Sequence, residues 1–285
     1  MNKLMKIAIC GPMSGPRKAY GEMLIEESKV LKSNFVRLGY FDDMAQTDQA
    51  IKIAKEIVAQ KYDLVIGHFN SYCSMAVKEI YKTAKIGFIS PLSTHPELRL
   101  ETGGAIFSPS DKNQVRLVVD TALANSKIIY AFNDSSEYGK RLTELLMAES
   151  KLVQVRQSTA KFAEEKKNQI LIFLSGAHCN ILNFHKELRE IAPDSMIVCC
   201  DDCYIGEYQE SIKDISNHND YLIGQPNGHR GSLITSFEYV KHLICHIGSD
   251  HILYDFVGKN IDQYQFLDDG RIESQGFELI PINTF

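Results

Sequence analysis

Short runs rich in β-branched and aromatic residues alternate with amphipathic stretches along most of the chain. The pattern predicts extended segments at residues 6–10, 35–41, 64–66, 86–89, 127–132, 152–156, 169–174, 196–200 and 221–223. Between them, apolar residues at three- and four-residue steps predict helices at 21–31, 49–60, 74–84, 114–124, 138–150 and 181–191. Such alternation builds parallel sheets covered on both faces, because each parallel crossover takes a helix. The class is α/β, with two doubly wound parallel-sheet lobes. The pattern pauses at Ala124-Asn125-Ser126 and again over 224–231, where a helix follows with Leu233, Phe237, Val240, Ile244 and Ile247 in step. These pauses place one lobe at residues 1–124 plus about 225–262 and the other at 125–224 plus about 263–285. After Gly248 come a short helical piece around Asp255 and a terminal pair of extended segments, with Asp269-Gly270 as the turn of a hairpin.

The segment DLVIGHFNSYCSMAVKEIYKTAKIGFISPLSTHP, residues 63–96, reads as strand, loop, helix, strand, loop. Both loops are crowded with hydroxyl-bearing residues. In open α/β sheets the ligand crevice lies outside the carboxyl ends of the strands, where the next helix begins with unbonded N–H groups that welcome an anion. Gly67 allows a close turn, Asn70 or Ser71 caps the helix, and Ser93 and Thr94 form a second hydroxyl rim between Pro91 and Pro96. Taken singly, these residues read more readily as a structural cap and a turn. Two such loops after consecutive strands point to a site.

Composition narrows the classes. With 44% hydrophobic residues and a net charge of −5 without any basic block, the chain can bury a large core and lacks the footprint of a nucleic-acid binder. The start MNKLMKIAICGP has too short an apolar run for a secretory leader, and no window approaches a membrane span. Seven cysteines, an odd number lying in apolar patterns, suit reduced thiols. The expectation is therefore a cytoplasmic protein with no membrane contact.

Other constellations carry less. Cys200 and Cys203 have metal-ligand spacing and lie near His178, Cys179 and Cys199 in the pattern, but no second matched pair accompanies them, so buried thiols and no metal are expected. A nucleophile drawn from Cys73 or Cys179 with His68 or His178 has no recognisable orienting group. Gly224–Gly228 lacks the lysine of a P-loop, and GPMSGPRKAYG is not a dinucleotide fingerprint. Asp42-Asp43 reads as a solvated turn, and no cofactor is expected.

The stretches IAICGPMSGPRKAYGE, residues 63–98 and AFNDSSEYGKRL together resemble the Leu/Ile/Val-binding proteins of the type I periplasmic binding-protein family, whose fold recurs in the amide-sensing regulator of amidase operons. The resemblance runs from about Ile7 to Leu142 and weakens beyond. It implies two lobes joined by a hinge that close on one small ligand in an interlobe cleft. By position it gives Ser71 and Thr94 the ligand carboxylate, with Ser93 on the same rim, and has the Leu92 backbone accept from the ammonium. Tyr138 and Asp202, with Asp201 next to it, complete the site from the second lobe, and Tyr20 covers the ligand from the first. His178 stands near a tyrosine position of the family, and Cys199-Cys200 replaces a glycine-rich pair. The expected function is non-catalytic sensing or sequestration of an amino acid or amide-like ligand, with a regulatory protein or a second copy as partner. The alternatives are a solute receptor of an ABC-type branched-chain amino acid importer and a small Cys/His enzyme.

Overall fold

The computed structural model describes residues 4–156, 159, 169–225, 228–247, 253–273 and 276–282. Residues 1–3 of the stretch read for a leader, 226–227 of the second pause and 274–275 of the terminal pair lie outside the described residues. The chain divides into two compact units, Met1–Ser110 with Arg230–Gln275 and Asp111–His229 with Gly276–Phe285, so it passes between them three times.

The first unit carries a parallel sheet in the order β2-β1-β3-β4-β5, formed by Met5–Gly11 (β1), Val36–Asp42 (β2), Leu64–Ile66 (β3), Gly87–Ser90 (β4) and Gly104–Ile106 (β5). Central β3 is buried on both faces and accordingly has no polar position, whereas edge strand β2 is only partly covered. Three helices follow β1, β2 and β3: Lys18–Ser28 (α1), Thr47–Ala59 (α2) and Ser71–Ala84 (α3). In α2, Ala50, Ile53, Ala54 and Ile57 recur with helical spacing and face the sheet. They join Val65, Cys73, Val77, Tyr81 and Phe88 in one core cluster. Each fully buried Ile or Val of this set stabilises the fold by roughly 1.5–3 kcal/mol.

The second unit has six strands in the order β11-β10-β9-β8-β6-β7. These are Ile128–Asn133 (β6), Val153–Val155 (β7), Ile170–Ser175 (β8), Met196–Cys199 (β9), Asp220–Gly224 (β10) and Glu278–Pro281 (β11), of which only β11 runs antiparallel to its neighbour. Its helices are Asp111–Ala124 (α4), Glu137–Glu149 (α5), His178–Ile191 (α6) and Gly206–Ile212 (α7). The 20-residue helix Gly228–Ile247 (α8) begins in this unit and continues into the first.

The division departs from the expected boundaries in two places. Helix α4 belongs to the second unit, because Arg141 of α5 donates to Asp111 at its start. The pause at 124–126 is instead the turn that ends α4, with Lys127 N bonded to the Ala122 carbonyl. The segment around Asp269-Gly270 does turn, with Gly270 N bonded to the Leu267 carbonyl, but it stays on the first unit. There Leu100 N donates to the Asp269 carbonyl, and Ile106 N to that of Gly270. Only the last extended piece crosses, as β11. Strand β5 was not predicted because Gly104-Ala105-Ile106 follows another glycine and holds a single β-branched residue, so it carries no strand pattern.

Gly67, directly after β3, has φ +136°, and a Cβ there would lie 2.0 Å from the Cys10 carbonyl oxygen. Both the backbone angle and the space therefore demand glycine. Gly67→Ala is expected to lower stability by about 3 kcal/mol or more, read as a fall in the urea midpoint; an unchanged midpoint would show that this turn is not strained.

Candidate functional site

In the first unit, the loops that leave β2, β3 and β4 at their carboxyl ends are joined by a buried chain of hydrogen bonds. It begins at Asp43, fully buried after β2, whose carboxylate takes one bond from Ala45 N and lies 2.8 Å from His68 Nδ1. With Nδ1–H donating to that carboxylate, Nε2 accepts from the Tyr81 hydroxyl at 3.0 Å. Tyr81 keeps its proton, since burial and the neighbouring Cys10 and Asp43 push its hydroxyl well above the usual tyrosine range. The His68 carbonyl accepts from Ser74 Oγ at 2.9 Å, and Ser74 Oγ lies 2.8 Å from Ser93 Oγ. Ser108 Oγ then donates to the Ser93 carbonyl at 2.6 Å. Arg271, 4% exposed, closes the chain by donating to the carbonyls of Ser93, His95, Ser108 and Pro109.

This chain sorts the expected ligand residues. Ser93 takes part in it through both its hydroxyl and its carbonyl. Ser71 and Thr94 take no part. Ser71 is the first residue of α3, half-buried, where the leading N–H groups of the helix project from its end. Asn70 occupies the N-cap position without a side-chain capping bond, and its buried Oδ1 has no hydrogen-bond partner among the described residues. Thr94 is buried in the β4 loop beside Leu92, Ser93 and His95. Tyr20, expected to cover a ligand, is itself fully buried. Its ring packs 4.0 Å from that of Phe69, and the Arg17 guanidinium lies over both. Asp43, read as solvated, is sealed because His68 needs it.

The second unit brings together Tyr138, His178, Asp201 and Asp202. Tyr138, at the start of α5, donates its hydroxyl to Asp201 Oδ1, which also accepts from Gln114 Nε2 at 3.2 Å. Gln114 Nε2 reaches Asp111 Oδ1 at 2.9 Å as well, and Arg141 holds the other Asp111 oxygen. Asp202 accepts from His178 N at 2.8 Å and lies 3.1 Å from His178 Nδ1, so it stands at the start of α6. The two neighbouring acids thus have different tasks. Burial, and then the charge of Asp111, raise the Asp201 carboxyl to about 7 against the pull of its Tyr138 and Gln114 hydrogen bonds.

Sequence reasoning did not find Arg271, Gln114, Asp111 or Arg141. Each acts across a long sequence separation from a position that carries no local signal. Of the two thiols considered as nucleophiles, Cys179 is exposed on α6 and Cys73 is buried. Burial, followed by the Asp43 charge, pushes Cys73 up to about 12. Cys199 is lowered to about 6, because hydrogen bonds from Cys203 and His185 outweigh its burial, yet it is fully enclosed. Among the described residues no group of three or more His, Cys, Asp or Glu could hold a metal, and no helix is long and apolar enough to cross a membrane. A cavity of about 160 Å³ in the first unit, lined among others by Lys82, Phe88 and Tyr254, lies at the amino ends of β4 and β5, away from Ser71 and Thr94.

Comparison with known proteins fits this geometry. No family model matches the chain. The Leu/Ile/Val-binding protein of Escherichia coli is 31% identical over 104 residues, 33% of this chain and 28% of that protein, so the sequence likeness spans less than a third of the relative's length. A leucine-bound ABC transporter substrate-binding protein from Desulfitobacterium hafniense superposes with a TM-score of 0.74 at 13% identity, covering 96% of both chains. A type 1 periplasmic binding protein from Bordetella pertussis gives 0.73 at 13% identity, covering 98% of this chain and all of the other. The chain has the type I periplasmic binding-protein fold. It is a relative of the Leu/Ile/Val-binding proteins. The kinship with an amide-sensing regulator is not among these likenesses. The cytoplasmic assignment is corrected by the same findings, since the relatives are periplasmic or extracellular binding proteins. The start of the chain and its odd cysteine count were too weak a basis for it.

The Asp201 environment makes a pH prediction. Between the usual aspartate value near 3.8 and about 7, the unfolded chain ionises this group while the folded chain keeps it protonated. Its contribution to stability is therefore present at low pH and lost as pH rises through that window. Asp201→Asn should match wild type near pH 4 and exceed it at pH 8, by up to about 4 kcal/mol. Urea denaturation at both pH values checks this, and a difference independent of pH contradicts it.

Proposed function

We propose that the protein is the amino-acid-binding component of an ABC-type importer and performs no chemistry of its own. This replaces the sensor reading, because the relatives with assigned roles are Leu/Ile/Val- and leucine-binding transport proteins. The observation that carries the proposal is Ser71 at the amino end of α3 with Thr94 on the neighbouring strand's loop. A helix amino terminus carries partial positive charge and donates N–H groups, so a carboxylate placed there needs no counter-ion. In this reading Ser71 and Thr94 add two hydroxyl donors, and the Leu92 carbonyl accepts from the ammonium. Asn70 Oδ1 is a further acceptor that a ligand donor can satisfy. Asp202, already oriented by His178, supplies the opposite charge to the ammonium, while Asp201 holds Tyr138 in place. The raised Asp201 carboxyl is a weaker counter-ion at neutral pH, which favours Asp202 in that role.

The two ends of the ligand are separable by experiment. A thermal-shift screen of the amino acids supplies the tightest ligand, whose amide and deaminated forms are then compared by calorimetry. Ser71→Ala and Thr94→Val should each weaken the amino acid by about 1.5–3 kcal/mol, the worth of a hydrogen bond to a charged group, and affect the amide less. Asp202→Asn should weaken the amino acid at least as much and spare the deaminated form. Wild-type protein that binds all three forms equally would rule out the amino-acid reading.

A further inference from the structure

Three cysteines meet at the end of β9 in the second unit, and the proposed function makes no use of their sulfur chemistry. Cys199 ends β9, Cys200 follows it, and Cys203 ends the helical turn Asp201–Cys203; all three are fully buried. Cys203 N closes the turn by donating to the Cys200 carbonyl at 3.0 Å. The chain thereby folds back until the Cys203 thiol shares hydrogen bonds with both Cys199 and Cys200, and Cys200 Sγ also donates to the Gly176 carbonyl at 3.3 Å.

On its other side Cys199 meets a polar cluster. Its sulfur lies 3.6 Å from His185 Nδ1 and 3.4 Å from the Tyr208 hydroxyl, and those two groups are 2.8 Å apart. His185 Nε2 lies 3.2 Å from Asp220 Oδ1, which also accepts from Arg189, while Asn217 N donates to the other Asp220 oxygen at 2.7 Å. One imidazole thus stands between a carboxylate and a thiol, the arrangement that draws the thiol proton onto histidine. Against burial, the Cys203 hydrogen bond and then the His185 charge bring Cys199 down to about 6, whereas burial raises Cys200 and takes Cys203 well above the usual thiol range. The cluster therefore holds one thiolate and, hydrogen-bonded to it, one protonated thiol.

Thiolates attack peroxides, and the sulfenic acid that forms condenses with a neighbouring thiol. We propose that Cys199 and Cys203 are a peroxide-sensitive pair that closes to a disulfide across the turn carrying Asp201 and Asp202. The Cys199 thiolate attacks one oxygen of hydrogen peroxide, the O–O bond breaks, and the hydroxide released takes the proton held by His185. The Cys203 sulfur then attacks the Cys199 sulfur, and its proton leaves with the sulfenic hydroxyl as a second water. The two thiols lose two electrons, which the peroxide gains. Buried thiols are ordinarily inert because burial keeps them protonated, a condition that His185 and Cys203 lift at Cys199. Its cover on the His185 side includes Tyr208 of the seven-residue α7, a helix anchored by Tyr208 and Ile212 and short enough to open locally to a reagent as small as peroxide.

The folded, fully reduced chain is treated with hydrogen peroxide at a dose that oxidises the exposed Cys179. After denaturation the remaining thiols are blocked with iodoacetamide, and the tryptic peptide spanning residues 190–213 is mapped by mass spectrometry. Before oxidation all three of its cysteines take the label. Afterwards only Cys200 should, with the loss of two hydrogens placed at Cys199 and Cys203 and reversed by dithiothreitol. Cys200→Ala should keep the reaction, Cys203→Ala should stop at a Cys199 sulfenic acid captured by dimedone, and Cys199→Ala should slow thiol loss in this peptide by about tenfold or more. Three labelled cysteines in peroxide-treated wild type would overturn the proposal, and so would a disulfide between Cys200 and Cys203. Should a variant fail to fold by circular dichroism, the wild-type map decides.

Discussion

The hydrogen bond between the buried His68 ring and the Asp43 carboxylate is the constraint on which the first unit's functional end depends. It ties the loop after β2 to the loop after β3, and through the His68 carbonyl, Ser74 and Ser93 it extends to the loop after β4. Removing one partner would leave a buried polar or charged group uncompensated, at about 3–5 kcal/mol by the experience of buried pairs. The consequence is a division of labour among neighbouring hydroxyls. Ser74, Ser93 and Ser108 satisfy the fold, which leaves Ser71 and Thr94 outside the network at the same strand ends. The network fixes the loops that carry Ser71 and Thr94, and loops already fixed have little conformational freedom left to lose.

The second unit solves a related problem with carboxylates. Asp201 and Asp202 are adjacent in sequence but have opposite commitments, one drawn into the Tyr138–Gln114–Asp111 network and one set at the start of α6 by His178. Burial first, then the Asp111 charge and to a lesser degree that of Asp202, make Asp201 hold its proton near neutrality. Arg141 neutralises Asp111 and so limits the negative charge that gathers at this end of the sheet.

Much of the fold was legible because βα alternation leaves a long-range periodic record, and all but two of the strands were visible in it. What escaped either lacked a β-branched run, as in β5, or depended on which surface a segment returns to. Helix α4 could not be assigned to its unit from its own pattern, since the deciding contact is Arg141 with Asp111. The strand-end positions of Gly67, Ser71 and Thr94 were legible because they lie within one βαβ stretch. The site was illegible where a residue acts from afar. Arg271 sits in an ordinary hairpin turn, and nothing near it announces that it clamps four carbonyls far away in the chain. The burial of Tyr20, against Phe69 and beneath Arg17, is a property of packing that its sequence position does not carry. Cellular location was misjudged because it is an address carried by sequence that need not leave a trace in the folded domain.

The central claim is that a ligand carboxylate is held at the amino end of α3. Backbone amide NMR of the isotopically labelled protein, titrated with its tightest-binding amino acid, tests it most directly. The account predicts that the amide signals of Ser71, Tyr72 and Cys73 are among the largest movers, shifted downfield as N–H groups that donate to a carboxylate are, and that the amide form of the ligand leaves them nearly unmoved. Shifts confined to other residues, such as those around Lys82 and Tyr254, would contradict it.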